Sequence, residues 1–380
     1  MTKTLIRLRS HDKGEQKMTN NVNRFNHPVR AISLLIIFLS VIFIMTANAS
    51  AETIPEADER GWVDFILVCN EGMRNDGGNS GNTMMLVSMN PKTGMIKLLP
   101  FCWDTFIQYP GYDVLQRLDK PFRNIGPQET MSVFNYNFNM DIKLYMSLNF
   151  TNLASLIDTY GGVDVDVEIA ERNALNQMVA SKKEGLLSQA EMGLISQTLV
   201  ESLVGQYYLN EFGPETHLNG MQAVGFGWLQ YDSTYNCCLR EVNVIKSLFI
   251  SVGNTISPKI VLYTDESGEP ENVNGRRAIN LDNMTEDDQA FLRNEMAPIF
   301  QKAAHNLSEE NIQDISNALA RTAYLASRQG VNVFEAIKFK VLPLEATKPY
   351  DLVAGTKGHC IDYKANEEAI KEFLFTEEDF

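Results

Sequence analysis

Gly81–Thr105, GNTMMLVSMNPKTGMIKLLPFCWDT, is the stretch that decides the fold. Thr83–Met89 and Met95–Leu99 are rich in residues that favour β-strands. The Asn-Pro-Lys-Thr-Gly sequence between them, residues 90–94, combines the residue types that most strongly favour a tight turn. The stretch therefore predicts a β-hairpin.

Apolar and alternating segments on both sides of the hairpin predict the other elements. Val63–Cys69 and Leu144–Leu148 have the composition of strands, and Val163–Val167 alternates with the period of a strand. Thr151–Tyr160 carries large apolar residues at helical spacing, which predicts a helix with one buried face. Further elements are predicted as helices from Pro127, over His217–Trp228, around Val242–Val252, after Thr285, after Ser308 and over Asn366–Phe373, a strand at Ala336–Leu342 and a loop at Leu229–Leu239.

Three motifs resemble the LytR-CpsA-Psr family of extracytoplasmic bacterial proteins. They are the hairpin, the YGGVDVDV sequence at 160–167, and Leu218–Ala223, which matches the family pattern L-x-G-x-Q-A. The resemblance covers about residues 62–253 in the family's order. It implies an α/β (α+β) fold in which helices flank a central mixed, largely antiparallel sheet, with a C-terminal helical/α-β extension.

The N-terminal fifty residues are predicted to direct export. Ala31–Met45 is a predominantly apolar run of 15 residues, shorter than the roughly 20 that span a bilayer. Small residues at 47–51 then fit the A-x-A cleavage pattern of a secretory signal. The alternative is an uncleaved membrane anchor, which is common in the family, and Met18 is a possible true start. We expect an extracytoplasmic protein, secreted or on the cell surface of a Gram-positive-type bacterium.

The remaining organisation follows from composition and from the resemblance. The segment rich in Gly, Pro, Asn and charge after the matched region indicates a surface insertion. The predicted organisation is a signal peptide over 1–51, a lead-in over 52–62, the family-like domain over 63–253, the surface insertion over 254–284, and a C-terminal extension over 285–380 packed on the main domain.

Net charge limits the partners. The chain carries a formal net charge of −15, and without residues 1–51 it keeps 26 basic against 46 acidic residues. This excess of negative charge argues against nucleic acid and against electrostatic docking on anionic lipid. The family resemblance instead implies a polyprenyl-phosphate-linked glycan or a cell-wall glycan as partner. Proximity to the membrane would come from the lipid ligand or from an uncleaved anchor.

Five cysteines leave two interpretations open. Export permits disulfides, so one bridge between motifs of the ligand site is possible. Alternatively, the cysteines are small buried apolar side chains. Sequence alone does not assign the pairing. The five are Cys69, Cys102, Cys237, Cys238 and Cys360.

The family's chemistry indicates which residues to inspect. Members transfer a glycosyl-phosphate from polyprenyl pyrophosphate to a peptidoglycan hydroxyl, a phosphoryl transfer that needs Mg²⁺ and cations around the phosphates. By resemblance, Asp104 and Asn82 stand at metal-binding positions, since Mg²⁺ prefers oxygen ligands. Arg117 and Arg240 stand where cations grip the phosphates. Asp104, Arg117 and Arg240 are therefore the candidate catalytic residues, and Mg²⁺ is the expected cofactor if the chain is active.

Most of the family's other site arginines are replaced. Charge-assisted hydrogen bonds contribute about 1.5–3 kcal/mol each, so five such losses rival a micromolar binding energy of about 8 kcal/mol. Glu241, in place of a Gln, is expected to add a negative charge next to the pyrophosphate. These changes argue against the family's standard catalysis. The replacements are Ser80, Trp103, Trp228, Gln230 and Cys237.

The new residues include several aromatic side chains, which suit lipid chains and sugar faces better than phosphate. The alternative is that aromatic residues simply filled an emptied site. Asp232 keeps an acid in the loop. The candidate substrate-binding residues are Asn82, Trp103, Trp228, Gln230, Tyr231 and Asp232.

Two functions follow. One is a degenerate, non-catalytic member that binds a lipid, glycan or protein partner. The other is an active Mg²⁺-dependent transferase with a rearranged site. An unrelated hydrolase has little support, because there is no G-x-S-x-G motif and Cys102 has no histidine nearby in sequence. Geometry discriminates: candidate catalytic residues around an open pocket favour the transferase, and tryptophans that plug it favour the degenerate member.

Overall fold

A computed structural model describes residues 60–70, 81–113, 115–119, 126–194, 196–329, 337–344, 349–352, 356–360 and 362–376. The predicted signal peptide, most of the lead-in and the loop at 71–80 lie outside these residues. In the parts of the chain that are described, no helix has both the length and the apolar character needed to cross a membrane.

In the described residues, the strands form one large sheet and three small ones. The strands are β1 Val63–Asn70, β2 Gly81–Met89, β3 Ile96–Phe101, β4 Thr105–Gln108, β5 Leu115–Arg117, β6 Leu144–Asn149, β7 Val163–Val167, β8 Gly213–Leu218, β9 Ile260–Tyr263, β10 Arg277–Asn280, β11 Ala304–His305, β12 Ile337–Phe339, β13 Pro349–Leu352 and β14 Thr356–Cys360. The large sheet has the order β11-β6-β1-β2-β3-β12, with parallel pairing at β6–β1 and β3–β12 and antiparallel pairing elsewhere. This confirms the predicted mixed, largely antiparallel sheet.

Helices cover both faces of the large sheet, so all eight residues of β1 are buried. Phe65 and Leu67 belong to one core, whereas Ile66 and Val68 belong to the core on the opposite face. The helices are α1 Pro127–Phe138, α2 Phe150–Thr159, α3 Ile169–Glu191, α4 Gln197–Gly205, α5 Gly220–Gly227, α6 Thr234–Ile256, α7 Glu286–Lys302, α8 Glu309–Gln329 and α9 Tyr363–Phe375.

The predicted hairpin is confirmed as β2 and β3. The Asn90 side chain accepts hydrogen bonds from the backbone N–H groups of Lys92 and Thr93, which closes the turn. Gly94 has φ of 77°, and a Cβ there would lie 2.8 Å from the Thr322 backbone nitrogen. Glycine is therefore required both by the backbone conformation and by the contact with α8.

Two predicted helix boundaries near the site are wrong. The helix predicted to begin at His217 begins at Gly220, because the Asn219 side chain accepts from the Gln222 N–H and caps it there. His217 lies in β8 instead. The predicted loop over Leu229–Leu239 is shorter, since Ser233 caps α6 and the chain is helical from Thr234.

The later segments add to the main structure. Strand β12 extends the large sheet beside β3. Lys97 of β3 donates to the carbonyl oxygens of Phe373, Leu374 and Thr376 at the end of α9, which caps that helix. Within the predicted surface insertion, β9 and β10 pair in parallel. The insertion and extension boundaries themselves remain predictions.

Candidate functional site

The end of the hairpin brings Trp103 next to Arg117. The β3–β4 connection carries Trp103, and the Asp119 backbone N–H donates to its carbonyl. The Arg117 guanidinium lies 4.4 Å from the centre of the Trp103 ring. Its Nε and Nη2 atoms also bond both carboxylate oxygens of Asp119, at 3.1 and 3.0 Å. This cation is therefore held by a fork within its own chain.

Arg240 on α6 is held in the same manner and is only 4% exposed. Its two Nη atoms bond the two carboxylate oxygens of Asp232 at 3.0 and 2.8 Å, and Glu171 of α3 lies 3.4 Å away. Burial alone would raise the pKa of Asp232, but hydrogen bonds from Arg240 and Asn236 hold it below its usual value. We refer to Arg117, Asp119, Asp232 and Arg240 as the ion-paired region.

Asp104 is half-buried, and its carboxylate accepts a hydrogen bond of 2.9 Å from the Thr234 hydroxyl at the start of α6. Oxygen of this kind suits a hard cation. Among the described residues, however, no group of three or more His, Cys, Asp or Glu side chains gathers as a metal site. Asn82 lies in β2, but its side chain is outside the described part of the chain. The Mg²⁺ site stays a prediction.

A buried hydrogen-bond chain leads from Trp228 to Glu241. The Trp228 indole N–H donates to the Thr83 hydroxyl at 2.6 Å, and Thr83 bonds the Glu241 carboxyl. Glu241 is 1% exposed, and burial raises its pKa to about 8 despite lowering contributions from Thr83, Cys237 and Arg240. Burial therefore opposes the negative charge that the sequence predicts at Glu241.

An open cavity of about 500 Å³ lies beside Trp228, between α3, α5 and the start of α2. We call it the aromatic cavity. Its aromatic wall includes Phe150 and Trp228, whose ring centres are 4.9 Å apart, and Tyr231. Of the described residues that line it, Lys182 is the one with a cationic side chain. The opposite wall is one face of α3, formed by Ala174, Gln177, Met178, Ser181 and Lys182.

The sequence and the fold both match one known group. The sequence profile of the LytR_cpsA_psr family matches residues 50–235. The chain belongs to the LytR-CpsA-Psr family. This identity confirms the resemblance carried by the hairpin and the YGGVDVDV sequence.

Curated relatives of this LytR-CpsA-Psr chain are named polyisoprenyl-teichoic acid–peptidoglycan teichoic acid transferase TagU. The protein from Oceanobacillus iheyensis is 30% identical over 117 residues, 28% of this chain and 35% of that protein. The protein from Enterococcus faecalis is 25% identical over 85 residues, 22% of this chain and 28% of that protein. The chain thus matches about a third of the length of these relatives.

Solved structures of LytR-CpsA-Psr proteins share the fold. TagV of B. subtilis matches with a TM-score of 0.54 at 13% identity, over 83% of this chain and 98% of TagV. TagT bound to LIIa-WTA matches with a TM-score of 0.55 at 14% identity, over 86% of this chain and 96% of TagT. At such identities the likeness establishes the fold alone.

The structure divides the residues that the LytR-CpsA-Psr resemblance groups together. Arg240 adjoins the aromatic cavity, because its guanidinium lies 5.1 Å from the Tyr231 ring centre and donates to the Leu229 carbonyl. Trp228, Gln230 and Tyr231 line the aromatic cavity, whereas the described lining does not include Asp104, Arg117 or Arg240. Trp228 is 8% exposed and packs on Phe150, so it forms a wall of the cavity and does not fill it. Trp103 lies under Arg117 instead.

Sequence reasoning missed the α3 wall and Glu171. The wall residues recur at helical spacing, from Ala174 through Met178 to Lys182, which is the signal that was available. The face mixes apolar and polar side chains, so hydrophobic periodicity does not mark it. Glu171 is 69 residues from Arg240, so no local pattern connects the two.

The four cysteines whose side chains are described are buried thiols: Cys69, Cys102, Cys237 and Cys238. The side chain of Cys360 lies outside the described residues. Cys237 contacts the Gly227 carbonyl and Glu241, and burial raises its thiol pKa. The Sγ atoms of Cys102 and Cys238 are 3.6 Å apart.

Proposed function

We propose that this LytR-CpsA-Psr protein acts outside the cytoplasm in envelope biogenesis and binds a lipid-linked or cell-wall glycan without transferring it. One observation carries the proposal. Arg117 and Arg240, the cations kept at family positions, are each held in a two-point fork by a carboxylate of the same chain.

These forks bear directly on catalysis. Phosphoryl transfer needs preorganised cations directed at the charge that develops on the phosphate. A guanidinium already bound at two points to Asp119 or Asp232 offers a pyrophosphate fewer donors. A ligand that takes a two-point grip on either arginine would also have to displace a carboxylate, and Arg240 is almost fully buried. Both effects oppose the family reaction.

The aromatic cavity supports the binding role. Trp228 and Tyr231 present aromatic surface that suits the apolar face of a sugar ring or a prenyl chain. Gln177 and Gln230 bring amide donors and acceptors that suit sugar hydroxyls. The volume of about 500 Å³ lies within the range of small-molecule sites.

The second candidate is an active Mg²⁺-dependent glycopolymer–peptidoglycan transferase with a rearranged site. The half-buried Asp104 carboxylate favours it, since Asp104 keeps an oxygen ligand at a family metal position and is oriented by Thr234. Asn82 is the other residue that would hold the ion. The transferase names of the TagU relatives agree with this candidate.

Titration of the purified full chain with a polyprenyl-pyrophosphate-linked saccharide, with and without Mg²⁺, tests the proposal. Tryptophan fluorescence reports binding, and product analysis with a peptidoglycan fragment reports transfer. We expect Mg²⁺-independent binding and no product. Tyr231→Ala should weaken binding about tenfold, and Tyr136→Ala, an exposed tyrosine on α1, should not. Mg²⁺-dependent transfer that Asp104→Ala abolishes would establish the second candidate instead.

A further inference from the structure

We propose that Cys102 and Cys238 form a disulfide that ties the Trp103–Asp104 loop to helix α6. Their Sγ atoms are already in van der Waals contact at 3.6 Å. A disulfide needs about 2.05 Å, so about 1.5 Å of closure remains.

Both backbones are fixed where the bond would form. The Cys102 N–H donates to the Leu342 carbonyl at 2.8 Å, and its own carbonyl accepts from the Thr105 N–H and hydroxyl. Cys238 lies in the second turn of α6. The Thr234 hydroxyl, one turn earlier on the same face, already bonds Asp104. The disulfide would therefore add a second link between two segments that are already joined.

The contacts of Cys102 and Cys238 differ from those of the neighbouring thiol, Cys237. Cys102 and Cys238 form a small apolar cluster with Val341, packed against Tyr235 and Leu239. Cys237 points elsewhere, towards Gly227 and Glu241. Adjacent cysteines on one helix thus have different partners, and Cys237 provides a matched control.

The reaction is a thiol–disulfide exchange with a small-molecule or protein disulfide. Two S–H bonds break and one S–S bond forms between the cysteines. The two electrons reduce the donor's S–S bond, and the two resulting thiols take up the protons. Because Cys102 and Cys238 are 2% and 1% exposed, exchange occurs during folding or local opening. Once formed, the bond is shielded from reductant.

The bond would restrict a long part of the chain, since 136 positions separate the two residues. Cross-links that close long loops restrict the unfolded state most. The same bond would fix the loop that carries Asp104 relative to α6. Reduction is therefore expected to lower the melting midpoint by about 5 °C.

Peptide mass spectrometry tests the proposal on the purified full chain. The protein is refolded in buffer with oxidised and reduced glutathione, denatured, alkylated and digested without reductant. We expect the Cys102 and Cys238 peptides as one cross-linked species, two hydrogens lighter than their sum. Recovery of both peptides separately alkylated, or of Cys102 linked to Cys237, would overturn the proposal. This readout needs no variant to fold and is independent of glycan binding.

Variants give the matched comparison. Cys237→Ser should keep the cross-link and the drop in melting midpoint on reduction. Cys102→Ser and Cys238→Ser should lose both, and a reductant-dependent drop of equal size in either of them would contradict the assignment.

Discussion

The ion-paired region and the aromatic cavity differ in what each offers a ligand. The ion-paired region keeps two family cations, but Asp119 and Asp232 bond both of them at two points. The aromatic cavity keeps open space of about 500 Å³, but Lys182 is the one cation among its described lining residues. The two meet at Tyr231, whose ring centre lies 5.1 Å from the Arg240 guanidinium, but the fork with Asp232 already occupies that cation.

The pairing of Arg240 within the chain has a simple electrostatic reason. A buried guanidinium is tolerated only when a counter-charge and hydrogen bonds accompany it. The family resemblance implies that a bound pyrophosphate would otherwise supply that counter-charge. Here Asp232 and Glu171 supply it to Arg240 from within the chain. An internal carboxylate therefore replaces the ligand as the partner of the arginine.

Gly220→Ala should have the largest effect, and it acts on the cavity through α5. A Cβ at Gly220 would lie 1.9 Å from the Ala154 carbonyl oxygen, so α5 would have to move away from α2. This contact explains the glycine of the L-x-G-x-Q-A motif. We expect the free energy of unfolding, measured by urea denaturation, to fall by about 3 kcal/mol.

Gly185→Ala is the control for Gly220→Ala, because nothing lies within 4 Å of a Cβ built there on α3. It should raise stability by up to about 1 kcal/mol through helix propensity. Equal stability of the two variants would show that the close approach of α5 to α2 is not a constraint on the cavity.

Glu241→Gln tests the buried chain beneath the cavity wall. The pKa of Glu241 rises from an ordinary 4.5 to about 8 on folding, so the native state binds a proton that the unfolded state releases. Stability should therefore fall between about pH 4.5 and 8, by a total on the order of 3 kcal/mol at pH 7. The Gln variant should lose this slope in urea denaturation at several pH values.

Asp64 is a second carboxyl whose pKa is raised by burial, so it also contributes to the pH dependence of stability. Some pH dependence of the same sign should therefore survive in Glu241→Gln. If the variant keeps the full wild-type slope, then Glu241 is ionised in the folded protein and the negative charge that sequence predicts is present after all.

The fold was predictable because its signals are local. Alternating strands and the turn at Asn90 need only neighbouring residues, and they define the hairpin. The wrong starts of α5 and α6 also have a local cause. Asn219 and Ser233 cap these helices, because their side chains accept backbone hydrogen bonds. The predicted boundaries instead follow the family pattern, which runs across both residues.

The site was less predictable because its pairings are not local. Sequence placed Arg240 and Asp232 among the candidates, but the fork between them depends on the path of the loop before α6. The charge of Glu241 depends on burial by distant segments, including Thr83 of β2. The aromatic cavity depends on α3, a helix that the motifs do not mark.

Asp232→Ala tests the ion-paired region directly. Arg240 would keep Glu171 at 3.4 Å but lose its fork, so the free energy of unfolding should fall by about 2 kcal/mol. Asp141→Ala, which removes an exposed pair with Lys143, should cost less than about 1 kcal/mol. The freed donors of Arg240 should also allow inorganic pyrophosphate to raise the melting midpoint of Asp232→Ala. If pyrophosphate raises the wild-type midpoint equally, Asp232 does not compete with phosphate, and the contrast between ion-paired region and cavity fails.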